Sequence, residues 1–328
     1  MEKRKWIVSL AAAAGILILI LDSRTALAGA AQGLSLCLKT VIPSLFPFIF
    51  LSGTFSHACA RTGRVARLLG KPFGIPANMT SILVPALLGG YPVGAQCVYE
   101  AYRSDAVSKD QAERMLAYCS NAGPAFLFGI LPAAFPEQKT VWLLWAVQLF
   151  SIWTASLVFF CPGHEAKPAA SPSAPFGMEQ AIWAMLKICG WVILFRVLIG
   201  FLCRWILWTV SREMRVALIG LLELSNGCCM LDQIPAENIR FLICSVLLSF
   251  GGLCVTYQTA SVCPGLRLRF YLRGKLLQTA TAGITSAAIC FRLWLLPPLW
   301  LAALFGVRAA EKRVEIQRQL VYNTGKIC

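Results

Sequence analysis

The residues best equipped for chemistry gather at four interruptions of long apolar stretches. Tyr91, Gly94 and Gln96 lie in or beside Gly90-Tyr-Pro-Val-Gly-Ala95, and Ser120 and Asn121 open Ser120-Asn-Ala-Gly-Pro124. Glu223, Ser225 and Asn226 form Glu223-Leu-Ser-Asn-Gly227, and Thr256, Tyr257 and Gln258 end Ser249-Phe-Gly-Gly-Leu-Cys-Val-Thr-Tyr-Gln258. Glycines loosen the backbone at these places, and Pro92 removes a donor and disfavours helix at Tyr91. Taken singly, hydroxyls and amides in apolar helices are packing glue. Clustered where helices break, together with freed backbone amides, they read as a site for a small polar or anionic organic ligand.

Two charged groups extend that chemistry. Glu223 ends an apolar run and could bind a coupling cation or proton, hold a substrate hydroxyl, or pair with an arginine. Arg196 stands mid-span in Ile188–Phe201 and offers a bidentate fork to a carboxylate, or a salt bridge to Glu223. Arg292, nearer a turn, reads as a snorkelling cation.

Other chemistries find no support. The 14 cysteines contain no CxxC pair, and His57 and His164 are the only histidines, so no metal-ligand spacing exists. The cysteines read as small apolar residues. A phosphate-cradling glycine loop is missing, and so is a nucleophile–His–acid arrangement. Neither an enzyme nor a cofactor is expected.

The elements that must position these residues are membrane helices. The 328 residues are 58% hydrophobic and 14% charged, with mean hydropathy +0.67, and several apolar runs reach the ~20 residues that a span needs. A net charge of +15 sits in short runs beside the spans: Lys3–Lys5, Arg61–Lys71 and Arg267–Lys275. That is the positive-inside pattern and excludes nucleic acid as the expected partner.

Trp6–Leu21 reads as a retained first helix despite the Ala26-Leu27-Ala28 cleavage-like triplet. Residues 25–36 read as a surface segment, and Cys37–Cys59 as the second span. With Arg61–Lys71 and Arg103–Arg114 both inside, residues 75–97 must enter and return as a re-entrant hairpin with its tip near Gly89–Gly94. Ser108-Lys-Asp-Gln111 fits a capping box, opening an amphipathic helix along the membrane surface. Ser120 and Asn121 are suited to cap a half-helix from Pro124. Thr140–Cys161, Ile182–Cys203 and Phe241–Val262 are further spans, and Leu276–Val307 should cross twice, turning near Arg292 or Pro297-Pro298.

The order of elements recurs after a Pro/Ala/Ser linker. The expected organisation is therefore a membrane helix and surface segment (1–36), a first repeat (37–161), the linker (162–177), a second repeat with a C-terminal membrane segment (178–307), and a basic cytoplasmic tail (308–328). The fold class is an all-α, polytopic helical membrane protein with two inverted repeats containing broken or re-entrant helices.

The four break motifs, in this order, resemble those of the YlbJ-type sporulation integral membrane proteins, in the Gate or nucleoside-recognition domain group. The resemblance runs from about residue 35 to about 305. It implies a plasma-membrane protein of spore formers, distantly similar to concentrative nucleoside transporters and to the membrane part of ferrous-iron transporters. It also implies dipicolinic acid as a candidate solute, at the outer forespore membrane. Expected partners are the lipid bilayer and a small polar or anionic solute, with a coupling cation or proton and a second copy of the chain as further candidates. Two functions stay open: transport around the breaks, or a structural, scaffolding role without transport.

Overall fold

The computed structural model describes residues 2–61, 77–160 and 177–306, which form helices joined by short turns, with no strand among them. Five helices or helix pairs are long and apolar enough to cross a membrane. The protein is an all-α, polytopic membrane protein. His57's side chain, His164, the loop after Arg61, the 162–177 linker (Gly177 apart) and the 308–328 tail lie outside the described residues.

Helices α1 (Glu2–Leu21), α2 (Ser23–Leu36) and α3 (Ile42–Arg61) come first, with a π-helical turn, Cys37–Val41, joining the last two. Residues 25–36 are thus not a surface segment but the start of a long apolar helix. The reason is close packing on α9 (Met178–Trp205). Gly29 and Gly33 are four apart, and a Cβ on either would stand 2.9 Å from Val197 Cα or Ile193 Cα. Small residues at this spacing let two backbones touch in lipid, where hydrophobic attraction between helices is weak.

The first interruption is a hairpin. Helices α4 (Ala77–Gly89) and α5 (Val93–Arg103) are joined at Gly90, φ +69°, and the cis Tyr91–Pro92 peptide. The chain doubles back, so a Cβ on Gly94 would lie 3.0 Å from Ala86 Cβ and only 1.8 Å from Cys119 O. Helices α6 (Lys109–Cys119) and α7 (Pro124–Ile130) flank the second interruption. The Ser108/Gln111 capping box forms. The helix it opens does not lie on the surface, however: Gln111–Glu113 and Met115–Cys119 are all buried, against α5, α8 (Gln138–Phe159) and α14 (Arg269–Phe291). The buried set is wider than the amphipathic stripe: Glu113 Oε1 accepts from Arg267 N at 3.0 Å, and Ala117 packs on Gly274.

The second half also holds two interruptions. Helices α10 (Arg212–Leu222) and α11 (Leu224–Cys228) fold back at Glu223, bringing a Gly227 Cβ position within 2.2 Å of Gly220 Cα. Helices α12 (Glu237–Phe250) and α13 (Gly252–Val262) meet at Gly251, and both Gly251 and Gly252 have φ +84°. The packing partners correspond pair by pair: α3 on α4 and α7, as α9 on α10 and α13; α6 on α8 and α14, as α12 on α14 and α8. After α14 the chain turns at Arg292, φ 56°, into α15 (Leu296–Gly306), whose Trp300 Nε1 donates to Thr281 Oγ1 at 3.0 Å. The expected turn near Arg292 is therefore present.

One placement overturns an expectation. Lys275 does not belong with the exposed Arg267, Arg269 and Arg273; it is 1% exposed and points into the packed interior.

Candidate functional site

Two helix ends create the environment of Lys275. An α-helix leaves its last carbonyls without intrahelical donors. At the end of α6, Tyr118 O accepts from Asn121 Nδ2 and Ala117 O accepts from Gln278 Nε2, each at 2.6 Å. At the end of α12, Leu248 O accepts from the Tyr91 hydroxyl at 3.3 Å. These bonds fix the side chains so that their free acceptor atoms converge. Lys275 Nζ donates to Asn121 Oδ1 at 3.0 Å, Tyr91 Oη at 3.1 Å and Gln278 Oε1 at 3.3 Å. The Tyr91 and Tyr271 rings lie 5.0 and 5.9 Å from the nitrogen, within cation–π range. Three acceptors match the three protons of an ammonium, and all three are neutral.

Close glycine packing holds the cluster together. Gly90 and Gly123 bring the first two interruptions into backbone contact, and a Gly274 Cβ would collide with Ala117 O at 2.5 Å. A Gly251 Cβ would stand 2.5 Å from Tyr91 Oη.

Glu223 forms a second buried centre. Its carboxylate caps α11, accepting from Ser225 N at 3.1 Å and from Asn226 N and Nδ2, both at 2.7 Å. A carboxylate at a helix N-terminus satisfies orphan donors and meets the positive end of the peptide dipoles. Among the described residues neither Glu223 nor Lys275 makes an ion pair. The fourth interruption stands between them. Gly251 faces Tyr91, while a Gly252 Cβ would sit 3.1–3.4 Å from the carbonyls of Gly220, Leu221 and Leu222, just before Glu223.

Of the residues singled out in the sequence, Tyr91 and Asn121 therefore join around Lys275, and Ser120 lies alongside, its hydroxyl 3.4 Å from that of Thr259. Glu223, Ser225 and Asn226 make the second centre. The remaining five sit elsewhere. Gly94 serves backbone packing against Cys119. Gln96 donates to Glu100 at 3.1 Å on a partly exposed face. Tyr257 is 55% exposed and stacks on Trp191, and Gln258 is buried with its amide on Cys254 Sγ. Arg196 bonds Gln32 on α2, so it pairs with neither Glu223 nor the interruptions.

Sequence reasoning missed Lys275 and Gln278. A signal was present: Tyr271, Gly274, Lys275, Gln278, Thr281, Ala282 and Ser286 share one helical face, and all are buried. Arg269 and Arg273 fall on the opposite face.

No family model matches the chain, and no solved structure matches it. The chain is similar to the sporulation integral membrane protein YlbJ of Bacillus subtilis (strain 168), 22% identical in an alignment of 321 positions, which covers 82% of this chain and 77% of that protein.

Proposed function

We propose that this protein is a carrier for a small organic anion in the bacterial plasma membrane, with Lys275 as its recognition group. The carrying observation is a fully buried amine bonded to three neutral oxygens from three interruptions or helices, with no carboxylate partner among the described residues. Burying a charge in a membrane interior is costly and is retained where it does work on a substrate. A carboxylate entering the cluster would replace the Asn121 and Tyr91 oxygens on Nζ with a stronger, charge-assisted bond. The displaced amide and hydroxyl then face the rest of the solute.

The inverted-repeat reading belongs to this proposal. The matching packing pairs of the two halves support it, and it makes the α4–α5 and α10–α11 hairpins two gates opening to opposite sides. Glu223, at the turn of the second hairpin, is the candidate for a coupling cation or proton. The similarity to a sporulation protein supports a role in spore formation, with dipicolinate as the first solute to test and nucleosides as the Gate-type alternative.

A scaffolding role is favoured by one observation: every proton of Lys275 already has an acceptor inside the protein. Uptake into proteoliposomes separates the two. A carrier accumulates labelled dipicolinate, or another small dicarboxylate, and Lys275→Met abolishes this while Lys275→Arg keeps part of it. Equal uptake by wild type and Lys275→Met would sink the proposal.

A further inference from the structure

Helices α8 and α14 run antiparallel, because Thr154 Oγ1 bonds Thr281 Oγ1 at 3.3 Å while the Phe159 and Phe270 rings meet at 6.2 Å. Helix α12 also runs antiparallel to α14. Cys290 Sγ lies 3.5 Å from Asn238 O, and a Gly283 Cβ would lie 3.5 Å from Val246 Cγ2. These contacts set the levels. Gln148 is six residues before Thr154 and so falls level with residue 287, next to Ser286. Ser245 precedes Val246 and falls level with residues 283–284. Ser249 falls near residue 280 and directly follows Leu248, the residue that anchors Tyr91.

This seam carries an unusual set of side chains. Gln148 is 1% exposed, and neither its oxygen nor its nitrogen has a hydrogen-bond partner on any described residue. The hydroxyls of Ser245, Ser249, Thr285 and Ser286 are likewise buried and without partners among the described residues. Their neighbours behave differently. Ser151, Thr154, Ser156, Thr279 and Thr281 all donate back to their own helix, the usual refuge of a hydroxyl in an apolar helix. Buried polar groups in native proteins are nearly always satisfied by protein or by ordered water. Six unsatisfied atoms on three adjoining helices, in line with Lys275 and Gln278, mark a wet path rather than scattered defects.

We infer that the seam between α8, α12 and α14 holds a chain of water molecules that connects Lys275 to the aqueous phase. The path rises from Gln278 past Ser249 to Ser245, Ser286 and Gln148. From Lys275 to Ser286 it covers eleven residues of α14, about 16 Å, towards the end where Glu137, Lys139, Glu237 and Asn238 are exposed. Along it an ammonium proton of Lys275 passes to a neighbouring water as hydronium and leaves the neutral amine, and the reverse transfer restores it. The titratable groups facing Lys275 are Tyr91, from the first hairpin, and Tyr271, from its own helix; among the described residues no carboxylate there competes for the proton. Proton exchange through this seam deepens the carrier proposal, since it lets the recognition charge be set from one side of the membrane.

The test uses full-length protein with 15N-labelled lysine in lipid nanodiscs. The exchange rate of the Lys275 Nζ protons with bulk water is measured by NMR, and the resonance is assigned by its loss in Lys275→Met. In the combined variant Gln148→Leu, Ser245→Ala, Ser286→Ala the exchange should slow at least tenfold. A rate within twofold of wild type overturns the inference. If that variant does not fold, 15N-glutamine-labelled wild type decides, with Gln148 assigned by Gln148→Asn. Magnetisation transfer from water to its side-chain amide is expected, and its absence means a dry seam and overturns the path. The two proposals fail separately: retained uptake in Lys275→Met rejects the carrier but not the path, and unchanged exchange rejects the path but not the carrier.

Discussion

Lys275 and Glu223 are two buried ionisable groups handled in opposite ways. Glu223 is answered within four residues of chain: its own helix start supplies two backbone amides and one side-chain amide. Lys275 is answered by Tyr91, 184 residues away, and by Asn121, 154 residues away, with Gln278 as the one local partner. The first centre is a cap and stabilises one turn of helix. The second is a junction, which exists only when both halves of the chain are packed. Local satisfaction makes a charge tolerable; distant satisfaction makes it responsive, because any movement of the hairpins changes its partners.

The comparison can be broken at its hinge. Gly251→Ala should have the largest effect on stability. It forces a side chain into φ +84°, costing about 1–3 kcal/mol, and places Cβ 2.5 Å from the Tyr91 hydroxyl. A marked drop in melting temperature in detergent is expected, with loss of uptake; a wild-type melting curve would show that Tyr91 can leave without consequence. Lys275→Met should come next. Asn121 Oδ1 and Gln278 Oε1 lose their donor, at about 1–3 kcal/mol each, partly offset because an ammonium no longer has to be buried. Solute-dependent thermal stabilisation, measured with dipicolinate, should vanish.

Glu223→Ala should cost about 0.5–2 kcal/mol, the range of a lost helix cap. If Glu223 only caps α11, uptake per folded molecule stays near wild type, whereas a tenfold loss makes it a coupling group as well. Arg196→Met should matter least. Its partner Gln32 lies on the α2–α9 face, so uptake should be unchanged, and a large loss would return Arg196 to the solute path.

The four interruptions were legible because glycine and proline are local signals that act through φ and missing donors, although the expected Ser120-Asn121 cap does not form: α7 starts at Gly123 without a side-chain cap. The Ser108 capping box was legible because it too is a local signal. At two places polarity does not mean exposure. Residues 25–36 and 108–119 carry small and polar side chains, and in lipid such residues face other helices. Lys275 is the third such place. Standing after Arg267, Arg269 and Arg273, it reads as one more basic residue at a membrane edge, until its helical face is separated from theirs.

By itself the sequence determined the features that depend on neighbours along the chain. It set an all-α membrane protein with four broken helices and placed Glu223 at one of the breaks, beside Ser225 and Asn226. Only the tertiary structure decided which breaks meet. Glycine contacts between distant segments bring Gly90 to Gly123 and Gly251 to Tyr91. Freed carbonyls at the ends of α6 and α12 then orient Asn121, Gln278 and Tyr91 onto one amine. Those partners are chosen by packing across the two halves, which no local pattern specifies.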